Sequence, residues 1–81
     1  MMSVIIMYLR IRDLREDADL SQKQIAEYLH GYQSNYSKVE RGLLELSLAD
    51  AAKLAEFYKT SVDYLVGLTD VKDPYPKSRR S

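Results

Sequence analysis

Ser21, Ser47 and Ser61 constrain the fold of this chain more than any other feature. Each stands at the head of a short apolar stripe of helical spacing, so the middle of the chain divides into short helices. Ser21 and Gln24 have capping-box spacing: the serine side chain accepts from the third helical amide, and Gln24 reaches back to the serine's own amide. Leu20 and Ile25 flank the cap as a hydrophobic staple. Ser47 repeats the device with Asp50, a shorter partner than Glu. Ser61 opens a third helix with Asp63 in its first turn, where a negative charge suits the positive end of the helix dipole.

Periodicity supplies the spans. Ile11, Leu14 and Ala18 predict a first helix over residues 7–17, with Arg12 and Glu16 as an i,i+4 ion pair on its outer face. A second helix follows over residues 22–29 on Ile25, Ala26 and Leu29, stopped at His30-Gly31. Tyr36 and Val39 mark a third over residues 33–41, ending at Gly42. The stripe Leu48, Ala51, Leu54, Ala55 and Tyr58 predicts a fourth over residues 48–58, and Leu65 and Val66 a short fifth over residues 62–67. Five helices with short connections make an all-α bundle. The β-branched Val4-Ile5-Ile6 favours a strand if a partner edge exists, and a loose start otherwise. Both prolines and the basic run Lys77-Ser78-Arg79-Arg80 lie near the C-terminus, which reads as an extended tail. The expected organisation is an apolar extension over 1–7, a domain over 8–67 and a tail over 68–81.

Composition removes several functions. Eighty-one residues hold one small domain, and 12 Lys and Arg balance 12 Asp and Glu, so global charge gives no hint of nucleic acid. There is no Cys, and His30 is the single histidine. Disulfides, thiol nucleophiles and Cys-based zinc sites are excluded, and ligands are too few for a His-based metal centre. Without a second His or any Cys there is no triad or acid–base pair, so neither enzyme nor cofactor nor metal is expected. The longest apolar run, Val4 to Leu9, is far short of the roughly 20 residues that span a bilayer, and no basic stretch leads it. A cytoplasmic protein is the default.

The helices at 22–29 and 33–41, joined by His30-Gly31-Tyr32, have the dimensions of a helix-turn-helix. Their content is more specific: Leu20-Ser21-Gln22 with Ile25, Ala26 and Leu29, then Gln33 and Tyr36-Ser37-Lys38-Val39-Glu40-Arg41-Gly42, then Ser47 and Asp63-Tyr64-Leu65. Over about residues 8 to 67 this resembles the Cro and repressor type of helix-turn-helix protein, the Xre family. The resemblance implies a five-helix, lambda-repressor-like DNA-binding fold. It also implies a sequence-specific transcriptional regulator, a repressor, whose second motif helix enters the major groove of double-stranded operator DNA.

Carried over, the resemblance puts Gln33, Ser34 and Asn35 at the reading end of that helix, with Ser37 and Lys38 on the same exposed side. Gln and Asn bond bidentately to adenine N6 and N7, which suits Gln33 and Asn35. Gln22 takes the place of a phosphate-contacting glutamine at a helix N-terminus. Lys23, Lys38 and Arg41 supply cations in this region against Glu27 and Glu40. Glu40 resembles the family's buried acid, and Arg15 its salt-bridge partner. Three positions depart from the pattern: His30 stands where Gly is common, Gly31 where an apolar residue is common, and Tyr32 at the helix cap. Either the register holds and Gly31 leaves a small hole, or Tyr32 turns inward as a plug and the helix starts late; the fit of Tyr36, Val39 and Glu40 favours the first. Tyr32 then either reaches the DNA backbone or only packs. A homodimer is implied, through Val62, Leu65, Val66 and Leu68 or through an intermolecular strand at Val4-Ile5-Ile6. The rival reading keeps the fold but binds a protein, as an antitoxin whose toxin meets the apolar N-terminus.

Overall fold

A computed structural model describes residues 4–73. Five helices follow in order: α1 (Val4–Asp17), α2 (Gln22–Tyr28), α3 (Gln33–Glu40), α4 (Leu48–Phe57) and α5 (Val62–Val66). No strand occurs among the described residues. Val4-Ile5-Ile6 begins α1 three residues before the expected start, so the strand reading is corrected to helix. With no partner edge to bond, these residues satisfy their backbone groups within the helix.

All three serine caps form. Ser21 completes the reciprocal box, its Oγ accepting from the Gln24 amide at 3.1 Å while its own amide donates to Gln24 Oε1 at 2.8 Å. Ser47 and Ser61 each accept one bond, from the amides of Asp50 and Tyr64. The other ends of the helices share a second device, the Schellman motif, in which a left-handed residue turns the chain and two amides bond back into the last turn. In α2 the His30 amide donates to Glu27 O and the Gly31 amide to Ala26 O. The left-handed residue is therefore His30, with φ 59°, and not its glycine neighbour. Asp19, Gly42, Lys59 and Gly67 play the same part after α1, α3, α4 and α5.

α1 lies against α3 and α5, α2 against α3, and α4 against α5. Between them Ile11, Leu14, Ile25, Ala26, Tyr36, Val39, Leu54, Ala55 and Leu65 form one core cluster. Ile11, Ile25, Leu54 and Leu65 are fully buried, each contributing roughly 1.5–3 kcal/mol. Three expectations change. Leu48, expected on the inner stripe, is 77 % exposed, because side chains tilt towards the helix N-terminus and the first residue points past the end of α4. Ala18 lies beyond the end of α1 and is exposed. Leu65 is fully buried, which removes it from any surface between protomers. Arg12 stands 4.0 Å from Asp13, and Glu16 stands 3.9 Å from Arg15, in place of the expected Arg12–Glu16 pair.

The segment after α5 folds back onto the helices. Arg10 donates to the carbonyls of Tyr64 and Thr69, the latter at 2.7 Å, and to Asp70 Oδ1 at 2.6 Å. Its guanidinium also lies over the Tyr64 ring, 4.2 Å from the centroid. The buried Thr60 hydroxyl donates to Lys72 O. Residues 69–72 are thus held to the domain where an extended tail was expected. The basic run Lys77 to Arg80 and residues 1–3 lie outside the described residues.

Candidate nucleic-acid interface

α3 is eight residues long and is positioned from beneath. Its inner face inserts Tyr36 and Val39 into the core, which leaves the opposite face to solvent. Gln33, Ser34, Asn35, Lys38 and Arg41 are exposed and Ser37 is half-buried. The packing of α2 on α3 brings Gln22 alongside, so that Gln22, Gln33, Ser34, Ser37, Lys38 and Arg41 line one shallow hollow. No carboxylate lines it, and two cations do. Asn35 and Tyr32 border a different hollow, shared with Gly31 and Leu46, on the other side of α3. Lys23 is exposed on α2 and lines neither.

The one acid of α3 turns inward. Arg15 Nε donates to Glu40 Oε2 at 2.7 Å and its NH2 to Oε1 at 3.0 Å, a bidentate pair whose side chains are 12 % and 3 % exposed. Arg15 NH1 also donates to Leu20 O at 2.9 Å, tying the end of α1 to the start of the motif. Gln22 Nε2 donates to Glu40 Oε1 at 3.0 Å, a contact that no sequence signal announced. Gln22 therefore keeps one side-chain N–H and its first-turn backbone amide for an outside acceptor. The hydroxyls of Tyr36 and Tyr58 are buried and meet no partner in hydrogen-bond geometry.

Burial by itself raises the Glu40 carboxyl, but the bonds from Arg15 and Gln22, with the Tyr36 hydroxyl beside them, outweigh it and hold the acid below its ordinary range. Its hydrogen bond raises the Arg15 guanidinium in turn. Burial, and then the nearby Glu40 charge, push the Tyr58 phenol up to about 12 and the Tyr36 phenol higher. The pair is fixed in its charged form at neutral pH and the tyrosines in their neutral form.

The turn itself keeps the expected register. Tyr32 is the N-cap residue of α3, makes no side-chain cap bond and is 77 % exposed, so it does not plug the core. A Cβ at Gly31 would meet nothing within 4 Å. The small hole is therefore present, and His30 adopts the backbone conformation for which a glycine is the usual choice.

A family profile described as helix-turn-helix matches residues 11–65. The chain belongs to the Xre-type helix-turn-helix family. Its five helices are the lambda-repressor-like arrangement, with α2 and α3 as the two helices of the motif. Among curated proteins, this helix-turn-helix chain is 39 % identical over 71 residues to the uncharacterized HTH-type transcriptional regulator YobD of Bacillus subtilis (strain 168), covering 88 % of the chain and 62 % of YobD. It is 34 % identical over 62 residues to the HTH-type transcriptional regulator ImmR of the same organism, covering 76 % of the chain and 49 % of ImmR. The chain thus spans one half to under two thirds of the length of these relatives. No solved structure matches it significantly.

Proposed function

We propose that this helix-turn-helix chain is a sequence-specific DNA-binding transcriptional regulator, a cytoplasmic repressor that occludes its operator as a homodimer. The observation that carries the reading is the hollow lined by Gln22, Gln33, Ser34, Ser37, Lys38 and Arg41: polar, free of carboxylates and built across both helices of the motif. A protein groove is ordinarily met by an apolar anchor, whereas this surface offers amide and hydroxyl groups for base edges and two cations for phosphates. The names of YobD and ImmR support the same class.

In this mechanism α3 lies in the major groove. Gln33 and Asn35 reach base edges on its leading turn, with Ser34 and Ser37 beside them, and Gln or Asn bonded bidentately to adenine is the expected contact. Gln22 and Lys23 at the start of α2, with Lys38 and Arg41, hold the phosphates on either side. Tyr32, exposed at the head of α3, is placed to donate its hydroxyl to the backbone. Arg15 and Glu40 touch no DNA; they fix the angle between α1, α2 and α3. One recognition helix reads few base pairs, so two copies on half-sites about 34 Å apart complete the site. Val62, Val66 and Leu68 remain as surface available for that pairing.

Selection from random duplexes by the purified protein tests the reading, repeated with Gln33→Ala and Asn35→Ala. The expected result is a two-fold-symmetric site, with each substitution costing about 1–3 kcal/mol at one position of each half-site. Lys38→Ala should weaken all duplexes alike and reduce the salt slope of log K by about 0.9 if it neutralises one phosphate. Enrichment of no sequence over background at moderate salt would end the sequence-specific reading.

A further inference from the structure

The hollow beneath the turn of the motif has a volume of about 210 Å³. It exists because Gly31 puts no side chain into space that a Cβ would enter without touching anything. Leu29, Tyr36, Val39 and Leu46 form an apolar wall, while Glu45 and Asp50 stand on the side towards α4. No lysine, arginine or histidine lines it, and among the described residues neither carboxylate takes part in an ion pair. Tyr32 and Asn35 close the remaining side. Apolar hollows of about 150 Å³ take up benzene-sized molecules. This one adds two uncompensated negative charges and an aromatic ring, a combination that favours a cation over a neutral or anionic guest.

We infer that this hollow is a binding site for a small organic amine, its hydrocarbon part in the space left by Gly31 and its ammonium group at Glu45 and Asp50. Nothing in the DNA-facing hollow competes for such a guest, since the lining there carries two cations and no acid. Occupancy would press on Asn35 and Tyr32 from the side opposite Gln33, which makes the site a natural point for a small molecule to act on the reading helix. Binding itself is read on the free protein, so its outcome and that of DNA selection are separate.

The test is a titration of the full isotopically labelled chain, followed by amide NMR, with 2-phenylethylamine, 2-phenylethanol and 3-phenylpropionate as probes. Saturable shifts confined to residues around Gly31, Asn35 and Leu46 are expected with the amine, with the alcohol binding more weakly and the acid not at all. Gly31→Leu fills the space and should abolish binding while keeping the native melting transition. A double variant, Glu45→Gln with Asp50→Asn, leaves the cavity open and should weaken the amine roughly tenfold without changing the alcohol, as expected for loss of a part-exposed charge-assisted contact. Shifts that fail to saturate, an alcohol that binds as tightly as the amine, or unchanged binding by Gly31→Leu would each overturn the site.

Discussion

Glu40 is charged in the folded chain at 3 % side-chain exposure, and its only compensation is the set of donors from Arg15 and Gln22. Removing one member of a buried pair leaves the other uncompensated, so Arg15→Ala should cost about 3 kcal/mol. Lys38→Ala, on the exposed face, should stay within about 0.5 kcal/mol. Equal melting temperatures for the two variants would remove the bridge from the account. The pH dependence follows from the direction of the shift. Glu40 is held below its ordinary value of 4.5, so its contribution is full above that pH and is lost as pH falls through the lowered value. Urea midpoints of wild type should therefore drop between pH 5 and pH 3 (about those values) more steeply than those of Glu40→Gln. Two glycines differ in the same physical terms. Gly42 has φ 77° and a Cβ there would stand 2.8 Å from Tyr8 Cε2, so Gly42→Ala combines backbone strain with a ring that must move. Gly31→Ala meets open space and should stabilise by about 0.4–1 kcal/mol through the unfolded chain. Calorimetric melting of both variants checks the sign of each.

At the scale of the helices, every element is too short to stand alone, the longest having 14 residues and α3 eight. End effects therefore weigh heavily. Ser21 satisfies two groups through its reciprocal box and Ser47 one, so Ser21→Ala should cost about 1 kcal/mol and Ser47→Ala less. α3 is the exception, because its cap is a tyrosine without a side-chain cap bond. Tyr32→Ser should raise stability by about 0.5–1 kcal/mol, measured as a higher denaturant midpoint. A stabilised variant that also binds DNA less tightly would show why a poor cap stands at this position; a midpoint that fails to rise would show that the α3 start does not accept a cap.

For the whole molecule, Arg10 joins the first helix to the chain that follows the last. Its bonds reach residues 54 to 60 positions away in sequence, and with Thr60 to Lys72 O they seat residues 69–72 against the bundle. Arg10→Ala should free that segment and speed tryptic cleavage after Lys72, while α3 and its surface keep their place. An unchanged cleavage rate would mean that Thr60 and the neighbouring contacts suffice. The neutral total charge also takes its meaning at this scale. Glu40 is spent on Arg15, and Asp13, Glu16, Asp17 and Asp19 lie on or just after α1, so the hollow on α3 is left with Lys38 and Arg41 and no acid.

The sequence by itself determined the five helices, their serine caps and the polar face of the third, because caps and periodicity act within about four residues along the chain. Resemblance to a family extended that reach to one distant pair, Arg15 and Glu40. Only the tertiary structure decided which residues share a hollow: it grouped Gln33 with Gln22 and Arg41, and set Asn35 and Tyr32 beside Gly31 instead. The same is true of Leu65, a dimer candidate by pattern and a core residue by packing, and of Arg10, whose partners no local spacing identifies. Burial and hydrogen bonds between residues far apart in sequence depend on how helices meet, and that is set by the whole core at once.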